Sequence, residues 1–438
     1  MRIGRCLTVL ATLGMLGVGA ASAQTTGVAP ELVVRNWYRL VLELVRHTPT
    51  MSPPVASRAM AYIGVSAYET VAAGADDMTS LAGQLNGLTD VPTRETGAVY
   101  DEAVALQAAL SASVASFFAN TGPTGQRAMT AVTDKFGAKV SEGVPADVVA
   151  RSAAYGRAMA AHIVHWSQGD GGAVVENMGF PYDYTPKEGP QYWVPTSLVR
   201  QQQAPLLPQW GNNRPFVMPT GNACPLPAPP EYSEDPGSQF YAEAKEVFDV
   251  AANLTDEQKT IARFWSDDPM LSPTPPGHWM SIALQILERD GADVKTHLDV
   301  MTRLGIGMSD AFIGCWYSKF EYDLVRPVTY IRRVIDPNWE TALITPPFPE
   351  YPSGHSTQSG AAATVLTALY GDAYAFSDAT HEDDGLAVRD YTSFWDAAEE
   401  AGLSRLYGGI HFRAAIERGL DQGRCIGEHT NALKTLVK

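Results

Sequence analysis

Apolar residues recur at three- and four-residue steps through residues 33–45 (VVRNWYRLVLELV) and 55–72 (VASRAMAYIGVSAYETVA), with a Pro53-Pro54 break between them. That spacing predicts two helices, expected to pack as an antiparallel pair. The same periodicity, rich in alanine, continues through 93–120, 125–136 and 145–166, then 237–252, 255–265, 278–289, 292–323 and 353–370, with a last helix after His411. No alternating run is long enough for a sheet, so the fold class predicted is all-α. Residues 169–236 break the pattern with Pro, Gly and Gln, yet they carry Tyr182, Tyr184, Tyr192, Trp193 and Trp210. Such a stretch is read as an ordered excursion belonging to a helical lobe at 24–236, followed by a helical bundle at 237–438.

Composition narrows the function. A chain of 438 residues that is 45% hydrophobic and 18% charged is globular and long enough for a large core. Its 48 acidic against 32 basic residues, net charge -16, exclude a basic nucleic-acid surface. Residues 1–23 read as a secretory signal: Arg2 and Arg5, then an apolar stretch from Leu7 to Val18, then Ala21-Ser22-Ala23 before Gln24. The expectation is a secreted or periplasmic protein with no stable membrane anchor. Cys6 falls in that segment, leaving Cys224, Cys315 and Cys425, either one disulfide with a free thiol or buried thiols throughout.

Within this acidic chain the C-terminal half gathers a local set of cations. Lys319 and Arg326 lie about two helical turns apart, with Pro327 ending the helix near Arg326. Tyr351-Pro352-Ser353-Gly354-His355 opens an Ala-rich helix, where free N–H groups and the positive end of the dipole favour an anion. Ser353 supplies a hydroxyl, Gly354 allows close backbone approach, and His355 supplies a proton-exchanging ring. Ser404-Arg405 precedes His411, with Gly408-Gly409 permitting a turn that brings Arg405 and His411 together. These groups suit the caging of one tetrahedral oxyanion.

In this order, K-x6-R-P, P-S-G-H and S-R-x5-H resemble the signature of the superfamily that joins vanadium-dependent haloperoxidases, type 2 phosphatidic acid phosphatases and bacterial acid phosphatases. The resemblance implies helical bundles with long loops, and a cage in which Lys319, Arg326 and Arg405 neutralise vanadate or phosphate oxygens while Ser353 and Gly354 hydrogen-bond them. His411 would be the ligand to vanadium, or the nucleophile toward phosphate, and His355 the acid-base partner. The long segment before Lys319 favours the haloperoxidase branch, whose substrates are hydrogen peroxide and halide. The alternatives are a phosphomonoesterase working through a phosphohistidine, and a non-catalytic oxyanion-binding protein. A homodimer is compatible with either.

Trp316 and Phe348 match the halide-side aromatics of vanadium chloroperoxidases. In Phe264-Trp265-Ser266-Asp267-Asp268 the family places an acid beside the acid-base histidine and a cage arginine; Asp268 is the choice for it, Asp267 the next. The sequence departs from the family at Ala415, where many members carry an acid four residues after the apical histidine. His278 has no counterpart in the fungal and algal pattern and is read as structural. His381, in His381-Glu382-Asp383-Asp384, is read as part of a solvated acidic loop.

Overall fold

The computed structural model describes residues 27–180, 184–197 and 203–437; the expected export signal therefore lies outside the described residues, as does Tyr182. The first apolar periodicities become α1 (Pro30–His47) and α2 (Pro53–Ala72), each with proline in its first turn, where the missing N–H leaves no helical bond unmade. The segment expected to be helical from residue 93 becomes so only at α3 (Glu102–Phe117), where the Asp101 side chain accepts from the Val104 amide and sets the start. A π turn at Val132–Phe136 joins α4 (Pro123–Ala131) to α5 (Gly137–Ser141), and α6 (Ala146–Ser167) follows.

The second half contains α7 (Gln239–Ala252), α8 (Asp256–Phe264), α9 (Thr274–Arg289), α10 (Val294–Tyr322) and α11 (Pro327–Val334). It ends with α12 (Gly354–Tyr370), α13 (Phe394–Tyr407) and α14 (Arg413–Asn431). Between α12 and α13 lies an antiparallel ribbon, β1 (Phe376–Asp378) with β2 (Arg389–Tyr391), too short to show in the pattern of the sequence.

Two helices are apolar around most of their circumference, and a helix of that kind must be central. Every residue from 54 to 72 in α2 and from 297 to 316 in α10 is buried. Accordingly α2 packs along α10 rather than pairing with α1, which lies mainly on α3. On its other side α10 meets α12 and α14, whose crossing is so close that a Cβ at Gly423 would stand 2.2 Å from the Thr357 carbonyl. This crossing fixes the start of α12, where the chemistry lies.

The described residues of the excursion wrap the helices. At its start the buried Asp170 accepts from Arg58 Nε at 2.6 Å and from the Tyr62 hydroxyl at 2.9 Å. A disulfide between Cys224 and Cys425 ties its far end to α14, leaving Cys315 as a buried thiol. In the middle, Asp310 of α10 accepts from the amides of Phe216, Val217 and Met218 at 2.6, 2.9 and 3.1 Å. Burial pushes its carboxyl up to about 6 against the pull of those amides. Asp310→Ala would orphan three N–H groups, two buried and one part-buried, so a loss of about 3 kcal/mol is expected in denaturant unfolding, with the segment around 216–218 becoming protease-sensitive.

Candidate active site

Four segments converge where α10 ends and α12 begins. Lys319, in the last turn of α10, is fully buried and donates to the carbonyls of Pro349 at 2.8 Å, Glu350 at 3.1 Å and Pro352. Burial lowers it to about 7. Arg326, the residue before α11, donates from Nε to the Phe348 carbonyl at 2.8 Å and from Nη1 to the Ile410 carbonyl at 2.9 Å. The Phe348 ring lies 5.1 Å from the Lys319 ammonium and 5.0 Å from the Arg326 guanidinium, roofing both cations.

Ser353 caps α12 by accepting from the Ser356 amide at 3.3 Å, which uses a lone pair and not the hydroxyl proton. Gly354 begins the helix, so its N–H has no partner within the helix. Arg405, in the last turn of α13, donates from Nη1 to the Trp265 carbonyl at 2.7 Å. The same carbonyl holds the His355 ring. Gly409, at φ +76, makes the left-handed turn that brings His411 back beside Arg326.

His411 is clamped on both nitrogens. Its Nδ1 donates to Glu350 Oε1 at 2.9 Å, and its Nε2 accepts from Arg326 Nη1 at 3.1 Å, a pattern that leaves the lone pair on Nε2. Burial, with Arg326 adding to it, holds His411 well below the ordinary histidine range, and burial pushes Glu350 up to about 8. The sequence reading missed Glu350. It occupies the role left open at Ala415, bonding His411 Nδ1, and the two residues line one small void.

Several buried polar atoms around this point have no protein partner: Arg326 Nη2, Arg405 Nε and His355 Nε2. Burial lowers Arg326 to about 9 and Arg405 to about 10, and drives His355 far down. Buried cations with unfilled donors call for an anion. Vanadate or phosphate fits this donor set of guanidinium, hydroxyl and backbone N–H groups, with the His411 lone pair beside them and the Lys319 ammonium, its three N–H groups held by carbonyls, adding charge.

The neighbouring acid needs a correction. Asp267, not Asp268, faces His355, with its carboxylate 4.0 Å from Nε2. A left-handed backbone at Asp267 (φ 48) turns that side chain inward. Asp268 is half-buried, its carboxyl raised chiefly by that burial and opposed by the charge of Arg405. Trp316 is buried and lies tilted against Phe348, ring centroids 4.9 Å apart, but its indole N–H is committed to the Leu206 carbonyl at 3.1 Å, so it offers the site a ring and no donor. His381 is not solvated either; with His278 it is bonded to Asp267.

The fold and site together define a helical-bundle protein with a cage for a tetrahedral oxyanion. Residues 299–437 match the family model described as the VCPO second helical-bundle domain. The structure is similar over 95% of this chain and 99% of the other to a bacterial vanadium-dependent iodoperoxidase, with 38% identity and a TM-score of 0.85. The chain belongs to the vanadium-dependent haloperoxidase family. A bacterial vanadium-dependent chloroperoxidase shares the fold at 18% identity, with a TM-score of 0.70 over 88% of this chain and 92% of that one. Among curated proteins, the vanadium-dependent bromoperoxidase of Ascophyllum nodosum is 32% identical over 128 residues, 25% of this chain and 23% of that protein. The vanadium chloroperoxidase of Curvularia inaequalis is 25% identical over 213 residues, 34% of this chain and 35% of that one. The matches thus span about a quarter to a third of the curated relatives.

Proposed function

We propose that this protein is an exported, vanadate-dependent enzyme that oxidises halide, iodide foremost, with hydrogen peroxide to hypohalous acid. The observation that carries the reading is the set of unfilled buried donors around the fixed Nε2 lone pair of His411. Arg326 and Arg405 bind the oxyanion and, with the charge of the carbonyl-held Lys319, neutralise it, while Ser353 and the Gly354 N–H complete its hydrogen bonds. His411 supplies the single ligand atom. Vanadate, when bound, supplies Lewis-acid activation of peroxide without a net change of its oxidation state. His355, low in basicity and free at Nε2, takes and returns the peroxide proton. Phe348 and Trp316 keep bulk water from one wall of the cage and present aromatic faces to the halide.

Iodide is supported by likeness to a protein described as an iodoperoxidase and by the committed Trp316 N–H, which leaves no indole donor for a small, strongly hydrated halide. Export is supported by the signal-like residues 1–23 and by the Cys224–Cys425 disulfide, which suits an oxidising compartment. The test is halogenation of a phenol dye by the purified protein with peroxide and each halide, with and without vanadate, beside p-nitrophenyl phosphate hydrolysis. Vanadate-dependent halogenation, fastest with iodide, is expected. Hydrolysis without halogenation under any halide would replace this reading by the phosphatase.

A further inference from the structure

Behind His355 lies a buried chain of titratable groups that the cage does not use. Asp267 accepts from His278 Nδ1 at 3.0 Å and from His381 Nε2 at 3.2 Å, and stands 4.0 Å from His355 Nε2. The two imidazoles differ in what their far nitrogens meet. His278 Nε2 bonds the buried Asp378 at 2.8 Å, a dead end enclosed on both sides. His381 Nδ1 bonds Asp384 Oδ2 at 3.1 Å, and Asp384 also meets Arg46 of α1. Side-chain exposure rises along this second branch, from 0% at Asp267 to 7% at His381 and 26% at Asp384.

Halide oxidation as proposed above consumes a proton. Hydrogen peroxide, halide and one proton give hypohalous acid and water; the O–O bond breaks, an O–halogen bond forms, and the halide loses the two electrons that peroxide gains. The proton has to reach a ring whose reactive nitrogen is buried. We propose that Asp384 and His381 form the proton inlet of this site, handing protons through Asp267 to His355. This assignment rests on the haloperoxidase reading.

Imidazole suits the middle position because it accepts at one nitrogen and releases at the other. Asp384 takes a proton from solvent and gives it to His381 Nδ1, and His381 releases one from Nε2 to Asp267. The last step, at 4.0 Å, closes to hydrogen-bond length when the His355 ring or the Asp267 carboxyl moves by about 1 Å. Burial opposes the charge on His278, but Asp267 and Asp378 on either side raise its pKa to about 10; that charge, with His381, holds the Asp267 carboxyl far below the usual carboxylate range, so Asp267 passes a proton on without retaining it. The groups facing His381 are Asp267, His278 and Asp384, with Arg46 beyond Asp384 and the Phe264 ring 5.3 Å away. Its basicity is raised by Asp267 and Asp384 although burial opposes this.

The experiment compares wild type with His381→Gln and Asp384→Asn. Both variants should bind vanadate as wild type does by equilibrium dialysis, yet turn over iodide about tenfold more slowly or worse. Added imidazole or formate should restore the variants and leave wild type unaffected, a response that a structural defect would not give. Unchanged turnover, a loss that small buffers do not rescue, or a transition metal retained stoichiometrically by the wild type at Asp267, His278 and His381 would each overturn the inlet. If wild type oxidises no halide, the activity reading falls, and the inlet is then decided on the vanadate-free protein by nitrogen NMR of labelled histidine. Slower exchange of the His381 ring protons with water in Asp384→Asn supports it; an equal rate overturns it.

Discussion

Alanine in place of His411 is expected to reduce vanadate-dependent halide oxidation to the uncatalysed background while the protein remains folded. His411 offers an imidazole lone pair to the cage, held on Nε2 because Nδ1 donates to Glu350 and Arg326 donates to Nε2. Glu350 therefore acts through His411, and its two simplest replacements should separate. Glu350 Oε1 accepts from both His411 Nδ1 and the Phe412 amide, each at 2.9 Å, while Oε2 has no partner. Burial raises this carboxyl to about 8, so at neutral pH its protonated form resembles an amide. Glu350→Gln keeps the accepting oxygen and should hold vanadate affinity within a few-fold of wild type. Glu350→Ala frees the ring and its tautomer and should weaken vanadate binding by about 10- to 100-fold. Affinity unchanged in Glu350→Ala would refute the positioning role; full turnover in His411→Ala would refute the ligand assignment.

The cage was legible because its parts are short and local. Proline after Arg326, Ser-Gly at a helix start and Gly-Gly before His411 each dictate a backbone shape within a few residues. Glu350 was in plain view beside Tyr351, but its meaning comes from a contact 61 positions away, and no local pattern announces that. His381 looked solvated because its neighbours are acidic; its burial is created by α9 and the loop before it, which bring His278 and Asp267 against it. Choosing between Asp267 and Asp268 depended on one left-handed residue, which turns the first carboxylate inward. The expected pairing of α1 with α2 failed because α2 and α10 are buried on every side along most of their length and pack on each other. Periodicity did not say which helix each would meet, and α11 and α13 are too short or too polar to have stood out.

Vanadate or phosphate is expected to stabilise the folded protein, and Arg326→Ala to remove most of that effect. In the free cage burial lowers Lys319 to about 7, Arg326 to about 9 and Arg405 to about 10. A lowered basic pKa means that the unfolded chain holds its protons more tightly than the folded one. The resulting cost to folding is full below the folded pKa and vanishes above the unfolded one. For Lys319 the window runs from about 7 up to its ordinary 10.5, so these groups make the anion-free protein gain stability as pH rises through it. An oxyanion reverses this by favouring the charged forms, and its stabilisation should therefore be larger at pH 7 than at pH 10. At a concentration 100 times its dissociation constant it adds about 2.7 kcal/mol, visible as a rise in the melting temperature. Arg326 brings a buried Nη2 with no protein partner, and losing a charged hydrogen bond of that kind costs about 1.5–3 kcal/mol, or about 10- to 150-fold in affinity. Melting curves with and without vanadate, at both pH values and in both proteins, measure the effect; an equal shift in Arg326→Ala would mean that the anion binds elsewhere.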